Sequence, residues 1–276
     1  MNWAERWMRL DDLWKITMGE GVKVAILDTG ISLCHPDLEE AIIDHKDFTG
    51  TFIEDSIGHG THCAGIVGGR GNIVGIAPKC QLMIGKVVGK EHVCYSPDLT
   101  DAIQWACDGG ADIISISLGS MIESQLMHKV IVEAVNKKHW IIAAAGNSGL
   151  LRGMCDYPGA FEEVISVGSV GRWPHLASSF SSRGPTLDVM APGEGIKSCW
   201  PPDGYKTLSG TSMSTPFVAG ILALCISKHR QSGGLTPIDT LQDVEDHLLK
   251  TAIDKGKKGI DNKYGYGIIN PKEVIN

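Results

Sequence analysis

Three short segments carry side chains able to make and break covalent bonds. VAILDTG ends an apolar run on Asp28, GHGTHCAGIVGG sets His59 between two glycines, and LSGTSMSTPFVAG places Ser212 at the head of a long apolar stretch. Each has an ordinary explanation when taken singly: a turn aspartate, a structural histidine, a helix-capping serine. A carboxylate at the end of a buried strand is costly, however, unless it accepts hydrogen bonds from a group that needs it. Together the three supply a nucleophile, a general base and a group that orients the base, which is what acyl transfer requires. His62 falls about one helical turn beyond His59 and is expected to pack or hydrogen-bond, leaving His59 to face a crevice, with Gly58 and Gly60 allowing close backbone approach. A helix starting near Ser212 would aim its N–H groups and the positive end of its dipole at a developing negative oxygen.

These residues need a scaffold, and the apolar runs describe one. Val- and Ile-rich segments recur at 22–27 (VKVAIL), 81–88, 112–118, 140–145, 163–169 and 187–192, with helix-period segments DLTDAIQWACDGG and SQLMHKVIVEAVNKKH between them. Strands apolar on both faces and separated by helices imply a mostly parallel sheet flanked by helices, a three-layer α/β fold. TSMSTPFVAGILALCISKHR reads as a long apolar helix, and LTPIDTLQDVEDHLLKTA as another, with Thr236 and Pro237 suited to its N-cap and N1 positions. In such sheets functional groups gather at the carboxyl ends of strands. That rule selects 27–30, 117–120, 144–149 and the turn before Ser212. No linker or internal repeat divides the chain, so residues 1–276 are expected to form one catalytic domain.

Composition narrows the function further. With a formal net charge of -7 and no basic stripe, the chain lacks the clustered Lys and Arg that nucleic acid demands. There is no run of about 18 apolar residues that would cross a bilayer, so neither nucleic acid nor membrane is an expected partner. The opening MNWAERWMRLDDLW lacks the apolar core of a signal peptide. Eight cysteines are scattered without a CxxC pair, which argues against zinc and, with the missing signal, points to a reducing, cytoplasmic setting. An even count also permits disulfides, and the alternative is the catalytic part of a longer, secreted precursor.

The chain resembles the subtilisin-like serine proteases. The resemblance runs from about residue 15 to the end and rests on LDTG, HGTHCAG, SISLGS, AAAGNSG, FSSRGPTLDVMAPG, GTSMSTP and GYGIINP. The order Asp28, His59, Ser212 is the subtilisin order. The resemblance implies a serine endopeptidase in which Asp28 holds the His59 tautomer and His59 shuttles the Ser212 proton. Asn147 would join the Ser212 N–H in an oxyanion hole. An extended peptide or protein substrate would lie along Ser117, Leu118 and Gly119, and Leu99 would help form an outer subsite. No cofactor is required for this chemistry.

Departures from the family pattern carry their own expectations. Asp156, just before Tyr157-Pro158, stands where well-studied members have a small residue at the base of the S1 pocket, and a carboxylate there would favour Lys or Arg at P1. Against this, Asp156 could point to solvent or pair with Arg152. The connection 68–78 is shorter than the loop that wraps the family's strong calcium site, so Asp37 is not assigned to a metal and no site is located for a structural calcium ion. Cys63, directly after His62, puts a thiol near the histidine and suggests sensitivity to mercurials. Other readings fare worse. An aspartic protease needs a second Asp-Thr-Gly, an α/β-hydrolase a different elbow and chain order, and a dinucleotide site a GxGxxG turn. A non-catalytic peptide-binding module of the same fold is the remaining alternative. Oligomeric state is not legible.

Overall fold

The computed structural model describes residues 3–151, 153–173, 175–233, 238 and 240–275. Two short helices, α1 (Trp3–Met8) and α2 (Leu10–Leu13), precede β1 (Lys23–Asp28), β2 (Ile42–Asp47), α3 (His59–Gly68) and β3 (Gln81–Lys86). There follow α4 (Ser96–Asp108), β4 (Ile113–Ile116), α5 (Gln125–Asn136), β5 (Trp140–Ala144), β6 (Ile165–Val170) and β7 (Val189–Pro192). A hairpin of β8 (Ile196–Trp200) and β9 (Gly204–Leu208) leads into α6 (Thr211–Gln231), and α7 (Leu241–Leu248) and α8 (Pro271–Ile275) complete the order.

The seven strands β1 to β7 pair in the order β2-β3-β1-β4-β5-β6-β7, every neighbour parallel. Helices α3 and α6 pack against one face, and α4 and α5 against the other. The expected three-layer α/β architecture is therefore present. Strands β4, β5, β6 and β7 are buried at every position, which is why their sequences read as unbroken apolar runs. β2 escaped the sequence reading because IIDHKD is an edge strand with a largely exposed pattern. The antiparallel β8–β9 hairpin, outside the main sheet, was missed as well.

The chain leaves β1 toward β2 and β3 on one side and reaches β4 on the other, so the order reverses beside β1. Crevices form at such reversals, at the carboxyl ends of strands. Asp28 is the last residue of β1. The apolar stretch after Ser212 is the core helix α6, buried from Thr215 through Ser227; burial inside the protein accounts for its apolar length. The helix 241–248 begins with a capping box between Thr240 and Asp243. The caps expected at Thr236 and Pro237 lie outside the described residues.

Candidate active site

β1 delivers Asp28 fully buried. Its Oδ1 accepts the Thr29 N–H at 2.7 Å and faces His59 Nδ1 at 2.7 Å, while Oδ2 has no partner among the described residues. A buried carboxylate with one unsolvated oxygen favours positive charge on the adjoining imidazole. Burial of the His59 ring pulls its proton affinity down, but the Asp28 charge outweighs this and holds the pKa well above the usual imidazole value.

His59 is the first residue of α3. Two glycines make that placement feasible. A Cβ on Gly60 would sit 2.3 Å from the Gly30 carbonyl oxygen, and Gly58, at φ +93°, lies under the Trp200 ring, 2.4 Å from a built Cβ. His62 is fully buried, with Nε2 3.1 Å from the carbonyls of Ile196 and Lys206. Burial drives its pKa down to about 4, so it stays neutral and anchors the hairpin, as the spacing suggested.

Ser212 is the second residue of α6. Pro216 four residues on lacks the N–H that would ordinarily bond the Ser212 carbonyl within the helix. That carbonyl instead accepts Ser117 Oγ at 2.9 Å, and Cys63 Sγ lies 3.5 Å from it. Cys63 Sγ also stands 3.9 Å from His59 Nδ1, so the thiol bridges the acid–imidazole pair and the serine turn. Burial pushes its pKa up, keeping it a neutral thiol. Ser212 Oγ donates to the Ser117 carbonyl at 3.1 Å, not to His59.

Asn147 follows β5, exposed at the crevice. Its Oδ1 accepts Thr211 N–H at 3.0 Å and Thr211 Oγ1 at 3.2 Å. With both donors on the oxygen, the amide orientation is fixed and Nδ2 is left for another acceptor.

Ser117 is buried, Leu118 partly buried and Gly119 exposed just after β4. Leu99, on α4, lines with Leu118 and Gly119 a cavity of about 450 Å³ that extends to Met127 and Tyr157. Asp156 is bonded through its N–H to the Ala145 carbonyl. Its Oδ2 lies between Gly119 and Gly146, 3.0 and 2.2 Å from Cβ atoms built there. The carboxylate thus sits between the 117–119 and 145–147 segments; Arg152, the suggested partner, lies outside the described residues. The structure brings all nine sequence-selected residues to the crevice end of the sheet.

Asp37 is buried and engaged with the 68–78 connection. Its Oδ2 accepts the Ile73 N–H at 2.7 Å, and its carboxylate clusters with the side chains of His35 and Cys199. One residue the sequence reading passed over is Asp55, a 4% exposed carboxylate beside the His59 helix; in EDSIGHG it looks like any polar loop residue.

The subtilase family model matches residues 19–267. The intracellular serine protease of Paenibacillus polymyxa is 42% identical over 77% of this chain and 68% of its own. The M-protease of Shouchella clausii is 35% identical over 91% of this chain and 63% of its own, so the chain spans about two thirds of these two relatives. Thermitase of Thermoactinomyces vulgaris is 37% identical over 80% of this chain and 81% of its own. With the fold and the crevice residues in place, these likenesses settle the family: the chain belongs to the subtilases, the subtilisin-type serine proteases.

Proposed function

We propose that this chain hydrolyses internal peptide bonds through an acyl-enzyme on Ser212. The observation that carries the reading is the 2.7 Å His59 Nδ1–Asp28 Oδ1 pair, joined through Cys63 to the Ser212 turn. Asp28 keeps the proton on Nδ1, so Nε2 carries the lone pair that takes the Ser212 proton as Oγ attacks the carbonyl carbon. The oxyanion is held by Asn147 Nδ2 and the Ser212 N–H at the head of α6. Protonated His59 then passes its proton to the leaving amine, and water repeats the sequence to release the acid and restore the serine.

Ser212 Oγ rests on the Ser117 carbonyl, the acceptor that an extended substrate strand along Ser117, Leu118 and Gly119 would claim through its own N–H. Substrate addition would free the hydroxyl to rotate toward His59. Asp156, between Gly119 and Gly146, supports a preference for Lys or Arg at P1. Leu99 contributes to the wall of an outer subsite. Peptides and proteins are the proposed partners, and the cytoplasm the proposed setting, supported by the relative named an intracellular serine protease and by eight free cysteines.

Labelling with a fluorophosphonate tests the chemistry. The folded protein should react at a single serine and Ser212→Ala should not. A folded protein that binds peptides and never labels would favour the non-catalytic binding module.

A further inference from the structure

We infer that Asp55 is a positioning residue that sets the His59 imidazole against Asp28. This rests on the triad reading above and concerns a group outside it.

Asp55 precedes α3, in a segment tied to the chain after β1 by Ile31 N–H to Ile53 O at 3.1 Å and Asp55 N–H to Ile31 O at 3.2 Å. Its carboxylate accepts five hydrogen bonds. Oδ1 takes Thr29 Oγ1 at 2.8 Å, Gly58 N–H at 2.7 Å and Ile57 N–H at 3.1 Å. Oδ2 takes the N–H and the Oγ1 of Thr61, both at 2.8 Å. Thr29 in turn accepts the Gly60 N–H at 2.8 Å and gives its own N–H to Asp28.

The residues on either side of His59 are therefore held from one buried carboxylate, Gly58 and Thr61 directly and Gly60 through Thr29. Thr29 is also the residue bonded to the acid. No residue of α3 caps its own N-terminus, since Gly58 at the N-cap position has no side chain. Asp55 performs that task from three residues upstream, which allows Gly58 to remain small beneath Trp200. A neutral cap would satisfy one or two N–H groups. A carboxylate with two saturated oxygens fixes strand end and helix start as one body, and catalytic geometry loses about 100-fold in rate for a displacement near 1 Å.

The variant Asp55→Asn turns one acceptor into a donor facing donors. It should lower kcat about 10- to 100-fold with KM within twofold, and move the acid limb of kcat/KM to lower pH as the His59–Asp28 bond loosens. In the Ser212→Ala background, the downfield proton resonance of His59 Nδ1–H should broaden or move upfield, a readout independent of turnover. Thr29→Val, which keeps the side-chain shape and cuts the link between Asp55 and Gly60, should show the same changes more weakly and carries the test if Asp55→Asn does not fold. A folded variant that melts earlier yet keeps the parental kcat, acid limb and Nδ1 resonance would reduce Asp55 to a stabilising cap and overturn the inference. An inactive parent protein with an intact, Asp55-dependent Nδ1 resonance would instead count against the peptidase reading and leave the positioning role standing.

Discussion

The orientation of Asn147 makes a sharp test of the oxyanion site. Two donors from Thr211 converge on Oδ1 at 3.0 and 3.2 Å, which leaves Nδ2 as the donor that the proposed mechanism assigns to the oxyanion. Asn147→Leu removes that donor and should cost about 2.7–4 kcal/mol of transition-state stabilisation, a magnitude measured in subtilisin. At 1.36 kcal/mol per decade this is a fall in kcat of roughly 100- to 1000-fold, with KM little changed because the donor acts on the transition state. Asn147→Asp separates this explanation from simple loss of packing. One carboxylate oxygen can keep both Thr211 bonds, so the side chain should stay in place while its other oxygen puts negative charge against the oxyanion. Its kcat should therefore be at or below that of Asn147→Leu although its geometry is better preserved. The assay is steady-state hydrolysis of one chromogenic peptide, with fluorophosphonate titration to count competent sites. Retention of more than a tenth of the parental kcat in Asn147→Leu, or a clearly faster Asn147→Asp, would refute the argument.

Four further outcomes are expected. Activity should rise with pH through a single titration above the usual imidazole value, because protonated His59 cannot accept the serine proton and Asp28 holds its pKa up; a pH profile of kcat/KM reads this directly. Stability follows opposite signs at the two histidines: the raised His59 pKa contributes stability below the unfolded-state value that fades as pH rises through the folded one. Neutral His62, held down to about 4, withdraws stability as pH falls from the unfolded-state value toward that figure, which urea titrations across pH will register. Asp156→Asn should reduce the kcat/KM ratio of P1-Arg to P1-Leu peptides by about 10- to 100-fold, the worth of a charge pair discounted for its partial exposure; an unchanged ratio rejects the basic preference. Gly60→Ala, with its new methyl 2.3 Å from a backbone oxygen, should destabilise by about 1–3 kcal/mol and lower kcat along with Tm.

The sequence by itself determined the layered α/β class, because strands buried on both faces must be written as unbroken apolar runs. It also determined the three reactive segments, because glycines beside His59 and the serine-rich turn at Ser212 have few other uses in combination. Edge strand β2 was illegible for the same reason the core strands were plain: its exposed positions in IIDHKD carry no apolar signal. Tertiary structure alone decided which groups meet. Asp28 and His59 are joined across 31 residues, and Ser117 and Ser212 across 95, by a strand order that places β1 between β3 and β4. Pro216 looks like a helix defect until the Ser117 hydroxyl is seen on the carbonyl it leaves open. Asp55 is an ordinary loop acid until folding buries it among five donors. Local periodicity records how deeply an element is buried, whereas hydrogen-bond partners distant in the chain depend on how the sheet and helices pack, and that packing leaves no local mark at either residue.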